Sequence, residues 1–146
     1  PEQTLRAILD ALRDNEQSGK FKDEGIDALY SFANVDVWSV QHNFFGSKMD
    51  LGQFERFKRV MITNPYGMLL QHKEREFLSS WRVDEKQFLG RFRVLDSLGE
   101  TQAYFSALMS KNEIANGTSR WMIDKLLFEC VEGVSRSQSS TNSTTP

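Results

Sequence analysis

The residues of this 146-residue chain with the widest chemical range are its two histidines and its single cysteine. His42 is followed by Asn43-Phe44-Phe45, and an imidazole that titrates near neutrality beside aromatic side chains suits proton transfer if it faces a cavity. His72 precedes the charged run Lys73-Glu74-Arg75-Glu76 and reads as solvated. Cys130 has no second cysteine for a disulfide and cannot supply a cysteine-based zinc site, so it reads as a small buried apolar residue. The two histidines are far apart in the sequence and make a weak metal site, so neither a metal nor a cofactor is expected. The chain has no glycine-rich phosphate loop, nucleophile elbow or Cys/His ligand spacing. Arg91 and Arg93 alternate with aromatic residues, a pattern found in nucleic-acid-binding sheets, but their face carries few other basic groups. With a net charge of −2, neither nucleic acid nor an anionic membrane surface is an expected partner.

Position of these groups depends on the elements around them. Thr4 to Asn15 shows the i, i+3, i+4, i+7 apolar spacing of an amphipathic helix through Leu5, Ile8, Leu9 and Leu12. A shorter helix is expected over Glu24 to Ala33, capped by the Asp23 carboxylate. Asn34 to Phe45 fits a short edge strand or an extended crossing segment. Asp50, with Gln53 three residues on, begins a third helix that Asn64-Pro65 ends. From Glu74 to Cys130 the apolar period changes to two, giving four long strands. Their turns fall at Asp84-Glu85-Lys86, at Gly99-Glu100 and around Asn116-Gly117, a tight-turn pair.

The expected fold is α+β: three N-terminal helices packed on a curved, mainly antiparallel sheet of four to six strands, forming a cone-shaped half-barrel. Residues 1–134 read as one domain and 135–146 as a disordered polar tail. Eleven Phe and three Trp suit a large core or an apolar pocket. Trp38, Phe54, Phe57, Met61, Tyr66, Phe77, Trp81, Phe92, Phe105 and Trp121 are the expected lining between helices and sheet. The opposite face still carries Leu78, Leu89, Leu95, Tyr104 and Leu108, and sheet-to-sheet pairing of two copies would cover it. No apolar run approaches the roughly 20 residues of a spanning helix, so a soluble, intracellular protein is expected, in the cytoplasm or in an organelle if a transit peptide was removed. Asn116-Gly117-Thr118 and Asn142-Ser143-Thr144 fit the glycosylation acceptor pattern and read as chance matches.

The order helix, helix, crossing segment, helix and antiparallel meander resembles the nuclear-transport-factor-two-like superfamily (SnoaL-like, cystatin-like cones), over about Leu5 to Glu129. Gly25-Ile26-Asp27-Ala28-Leu29-Tyr30 resembles the G-x-x-A-L-Y/F of that superfamily's second helix, and Trp121-Met122-Ile123 the opening of its last strand. Phe45-Gly46-Ser47, Phe54, Tyr66 and Leu69-Leu70 are similar to an uncharacterised single-domain family within it. The superfamily includes ketosteroid isomerase, scytalone dehydratase and polyketide cyclases, whose catalytic groups point into the cone. Isomerase-type chemistry needs a carboxylate base soon after the second helix and hydroxyl or carboxyl donors deeper in the cone. An ungapped match places Trp38 at the base position, and Asp36 reaches it only by a shift in register. Tyr30 or Tyr66 would donate, while Asp96, beside Ser97 and Gly99, reads as a turn residue. Dehydratase-type chemistry would pair His42 with an Asp.

Two readings follow. The first is a small non-enzymatic or weakly active domain that binds an apolar small molecule or a protein partner and forms a homodimer. The alternative is an isomerase, cyclase or dehydratase with Asp36, His42 and Tyr30 as its catalytic candidates.

Overall fold

Leu5, Ile8, Leu9 and Leu12 are buried along one side of α1 (Glu2–Arg13), as their spacing predicts. The computed structural model of the chain describes residues 1–16, 22–35, 43–47, 51 and 53–133. α2 (Glu24–Ser31) buries Gly25, Ile26 and Leu29, and α3 (Phe54–Met61) buries Phe57 and Met61. A single 3₁₀ turn follows at Tyr66–Leu69. Four strands then run as a meander: β1 (Glu74–Asp84), β2 (Gln87–Leu95), β3 (Thr101–Glu113) and β4 (Ser119–Gly133). They form one antiparallel sheet in the order β1-β2-β3-β4, curved and unclosed, with the helices preceding it in the chain. The expected α+β class is what the chain adopts, with four strands among the described residues.

The helices lie on one face of the sheet. Phe88, Gly90, Phe92 and Val94 of β2 and Ala103, Phe105, Ala107 and Met109 of β3 are buried in strict alternation, so these strands set the inner face. α1 passes close over Gly90: a Cβ there would stand 3.1 Å from Leu5 Cδ2 and 3.0 Å from Phe88 Cε2. The α1–α2 contact is tighter still, since a Cβ on Gly25 would fall 2.2 Å from the Ala11 carbonyl oxygen. The glycine opening the Gly25–Tyr30 motif therefore has a packing cause.

α2 is capped differently from expectation. Asp23 is the residue before the helix, but it has φ 61° and makes no side-chain capping bond. The buried amide of Asn15, at the end of α1, accepts instead from Gly25 N–H at 2.8 Å and Ile26 N–H at 3.1 Å. That carries the first-turn donors of one helix on the side chain of another. The Asp23 carboxylate faces the Lys58 ammonium at 3.4 Å.

Two β-bulges shape β1, and the first corrects the expected pattern. Phe77 pairs with Phe92, but Ser79 pairs with Arg91, so Leu78 is the extra residue. Beyond it Ser80 and Arg82 stand opposite the inner residues Gly90 and Phe88, whereas Trp81 stands opposite Leu89. A one-residue slip exchanges the faces of every following side chain. Trp81 therefore leaves the interior, where period two placed it, and is 64% exposed on the outer face.

The crossing segment is described at its ends. Asn34 N–H donates to Ile123 C=O at 2.8 Å and Ile123 N–H to Phe32 C=O at 2.7 Å, so the chain after α2 runs along the free edge of β4. Leu126 N–H donates to Phe44 C=O at 2.8 Å further along that edge. Asp36, Trp38, His42, Asp50 and the tail from 134 on lie outside the described residues.

Candidate functional site

Seven of the expected lining residues come together between helices and sheet. Phe57, Met61, Phe92 and Phe105 have no exposure at all, and Tyr66 is buried among them. Their rings touch in sequence: Tyr30 with Phe54 (centroids 5.4 Å) and Phe57 (5.0 Å), Tyr66 with Phe105 (5.7 Å), and Phe105 with Phe92 (5.8 Å), which meets Phe77 (5.9 Å). Phe44 and Phe45 join the cluster through Phe57 at 5.5 and 5.4 Å. Along this path the cone is occupied by the protein's own rings. Trp121 is half-buried farther along β4, with the Arg82 guanidinium 5.4 Å from its ring.

The polar groups of the interior are held by backbone. Tyr66 hydroxyl donates to Leu126 C=O at 3.0 Å, lies 3.3 Å from Phe45 C=O, and accepts from Phe128 N–H at 3.1 Å. It stands where a fifth strand would have paired with β4 and satisfies groups that an edge strand leaves open. Burial pushes its pKa up, with the Phe128 N–H opposing. A phenol engaged in this way is a pin, and its geometry does not make it a donor toward a bound molecule. Tyr30 is half-buried, its hydroxyl 3.5 Å from Leu51 C=O. Of the three catalytic candidates only Tyr30 is among the described residues. Asp96 closes the β2–β3 turn, its carboxylate accepting from Glu100 N–H at 2.9 Å and Thr101 N–H at 3.3 Å.

His72 is 1% exposed, not solvated. Its Nδ1 lies 2.8 Å from Leu69 C=O, which can only accept, so Nδ1 carries the proton and Nε2 accepts from Arg75 Nη1 at 3.3 Å. The other Arg75 nitrogen donates to Asp10 on α1. Burial holds the His72 pKa below its ordinary value; the Leu69 carbonyl opposes this and the Arg75 cation adds to it. The charged run that suggested solvent supplies Arg75, which bends back over the imidazole to reach α1.

The outer face of the sheet has a different composition. Trp81, Leu89 and Leu108 are cross-strand neighbours on β1, β2 and β3, with Lys125 next on β4. Beside this row the charges are already matched. Arg91 Nε donates to Glu129 at 2.8 Å, with Ser106 hydroxyl on the same carboxylate. Arg93 reaches Glu76 at 2.8 Å and Gln102 at 2.7 Å, and Tyr104 hydroxyl donates to Glu132 at 2.7 Å. For Glu129, burial would raise the pKa, but Ser106 and Arg91 together hold it low. Cys130, expected to be buried, is exposed and stands opposite Tyr104 on this face, because the β4 bulge at Tyr104/Phe105 resets its alternation. Of the five residues expected at a partner surface, Leu78 is the exposed bulge residue; Leu89, Leu95, Tyr104 and Leu108 are half-buried. Trp81, expected in the lining, lies on the outer face.

Among the described residues no group of three or more His, Cys, Asp or Glu side chains is placed to hold a metal, and no helix is long and apolar enough to cross a membrane. No protein-family model, curated protein or solved structure matches the chain.

Proposed function

We propose that the chain is a small non-enzymatic binding module whose partner surface is the outer face of its sheet, and that it pairs there with a second copy of itself. The observation that carries the reading is Trp81, a large aromatic side chain 64% exposed on a strand, in one row with Leu89 and Leu108. Tryptophan on a rigid strand is the kind of residue that anchors protein interfaces. The surrounding charges support burial, because Arg91–Glu129 and Arg93–Glu76 are neutralised within one copy and would not be stranded by contact with another.

Size is adequate. Four strands spaced about 4.8 Å apart, the nine residues of β2 giving a length of about 30 Å, present roughly 570 Å2 in projection. Accessible area exceeds projected area, so a face-to-face pair approaches the ~800 Å2 per partner of a standard interface. A ligand in the cone is the weaker reading, since direct ring contacts fill the path from Tyr30 to Phe77. Light scattering with concentration tests the proposal: the expected mass rises toward twice the chain's 16.8 kDa. A constant single-chain mass would remove it. Native mass spectrometry of the same sample tests the cone, where a co-purified small molecule would favour the ligand reading.

A further inference from the structure

The outward side of α3 borders a cavity of about 460 Å3 that none of the expected site residues except Tyr66 touches. Its apolar wall is Leu51, Val60, Pro65 and Tyr66; its charged lining is Arg56 and Arg59, one turn apart on the same helix. Leu51 and Tyr66 are buried at its floor, and the Tyr66 hydroxyl is held by the Leu126 carbonyl. The volume falls within the roughly 300–1,000 Å3 of small-molecule sites.

The geometry points to a binding site for a small amphipathic carboxylate, one with a hydrocarbon body and a single anionic head. The hydrocarbon would lie against Val60, Pro65 and the Tyr66 ring, removing apolar surface from water. The head would meet the Arg59 guanidinium, whose planar fork matches a carboxylate, with Arg56 adding positive charge beside it. A neutral apolar molecule would gain only the first of these. A cavity of similar size, about 440 Å3, lies between α1 and α2, lined by Gln3, Thr4, Ala7, Ile8, Ala28 and Phe32. Its lining has no charged side chain, so it serves as an internal comparison. The α3 site lies on the helical side of the protein, away from the outer sheet face, and stands independently of the dimer.

The test is a fluorescence titration of the full chain with dansyl-labelled undecanoic acid and with the corresponding alcohol, below their aggregation thresholds. The acid is expected to bind saturably at one site and about tenfold more tightly than the alcohol, the order of effect of a charge-assisted contact. In Arg56→Gln/Arg59→Gln, with circular dichroism unchanged, acid and alcohol should bind alike. Val60→Trp, which fills the cavity, should block both. Absence of saturable binding, equal affinity of the wild type for acid and alcohol, or a preference for the acid that survives the double substitution would overturn the inference. Survival of the preference would move the site elsewhere on the protein, and binding of both probes unaffected by Val60→Trp would place them in the α1–α2 cavity.

Discussion

Replacing Tyr66 by Phe removes one oxygen and leaves the ring, its contacts with Phe45 (4.6 Å) and Phe105 (5.7 Å), and the volume of the core in place. What is lost is the hydroxyl that donates to Leu126 C=O and accepts from Phe128 N–H on the free edge of β4. A buried backbone group left without a partner costs about 1–3 kcal/mol. Two such groups, one of them only partly buried, put the loss at about 2–3 kcal/mol, offset in small part by the easier burial of Phe. For a domain of this size each kcal/mol moves the midpoint by about 2–4 °C, so a fall of roughly 5–10 °C is expected. Urea and thermal unfolding followed by circular dichroism measure both quantities. A loss under about 0.5 kcal/mol, the range of an uninvolved surface substitution, would refute the role of Tyr66 as the pin of the β4 edge.

Other consequences are equally specific. Gly25→Ala would normally stabilise a helix by up to about 1 kcal/mol, but here the added Cβ meets the Ala11 carbonyl at 2.2 Å. A destabilisation of about 3 kcal/mol or more in urea unfolding is expected, and a gain in stability would contradict the close α1–α2 crossing. The buried neutral His72 binds its proton more weakly in the folded than in the unfolded chain, whose value is near 6.5. Its contribution to stability is therefore complete above that pH and is lost as pH falls through the lowered folded value. His72→Gln should flatten the unfolding free energy against pH in that window. The Asp10 carboxylate, held low by Arg75, loses its contribution only at more acid pH, starting from its ordinary 3.8, so the two effects separate. An unchanged slope in the His72 variant would show that other groups carry the pH dependence.

The architecture was legible because its signals are long and periodic. α1 announces itself through four leucine and isoleucine positions, and the burial alternates strictly within β2 from Phe88 to Val94 and within β3 from Ala103 to Met109. What escaped were positions decided by single residues or by tertiary contact. One bulge at Leu78 moves Trp81 from the inner to the outer face, and a period-two reading carried through it must fail. The charged neighbours of His72 and the usual burial of a lone thiol both mislead: His72 is buried beneath Arg75, and Cys130 is exposed beyond a β4 bulge. Capping of α2 by Asn15 depends on how two helices cross, which no local pattern encodes. Arg56 and Arg59 border a cavity because the Thr63–Tyr66 segment lies beside them, an arrangement that helix periodicity does not encode.

Sedimentation equilibrium of the wild type and of Trp81→Glu, over micromolar to millimolar concentration, tests the outer sheet face most directly. The wild type should fit a reversible monomer–dimer equilibrium, and Trp81→Glu, unchanged in circular dichroism because its side chain points to solvent, should remain at the 16.8 kDa of one chain. A wild type that stays monomeric throughout, or a variant that dimerises as well as the wild type, would contradict the assignment of that face as the partner surface.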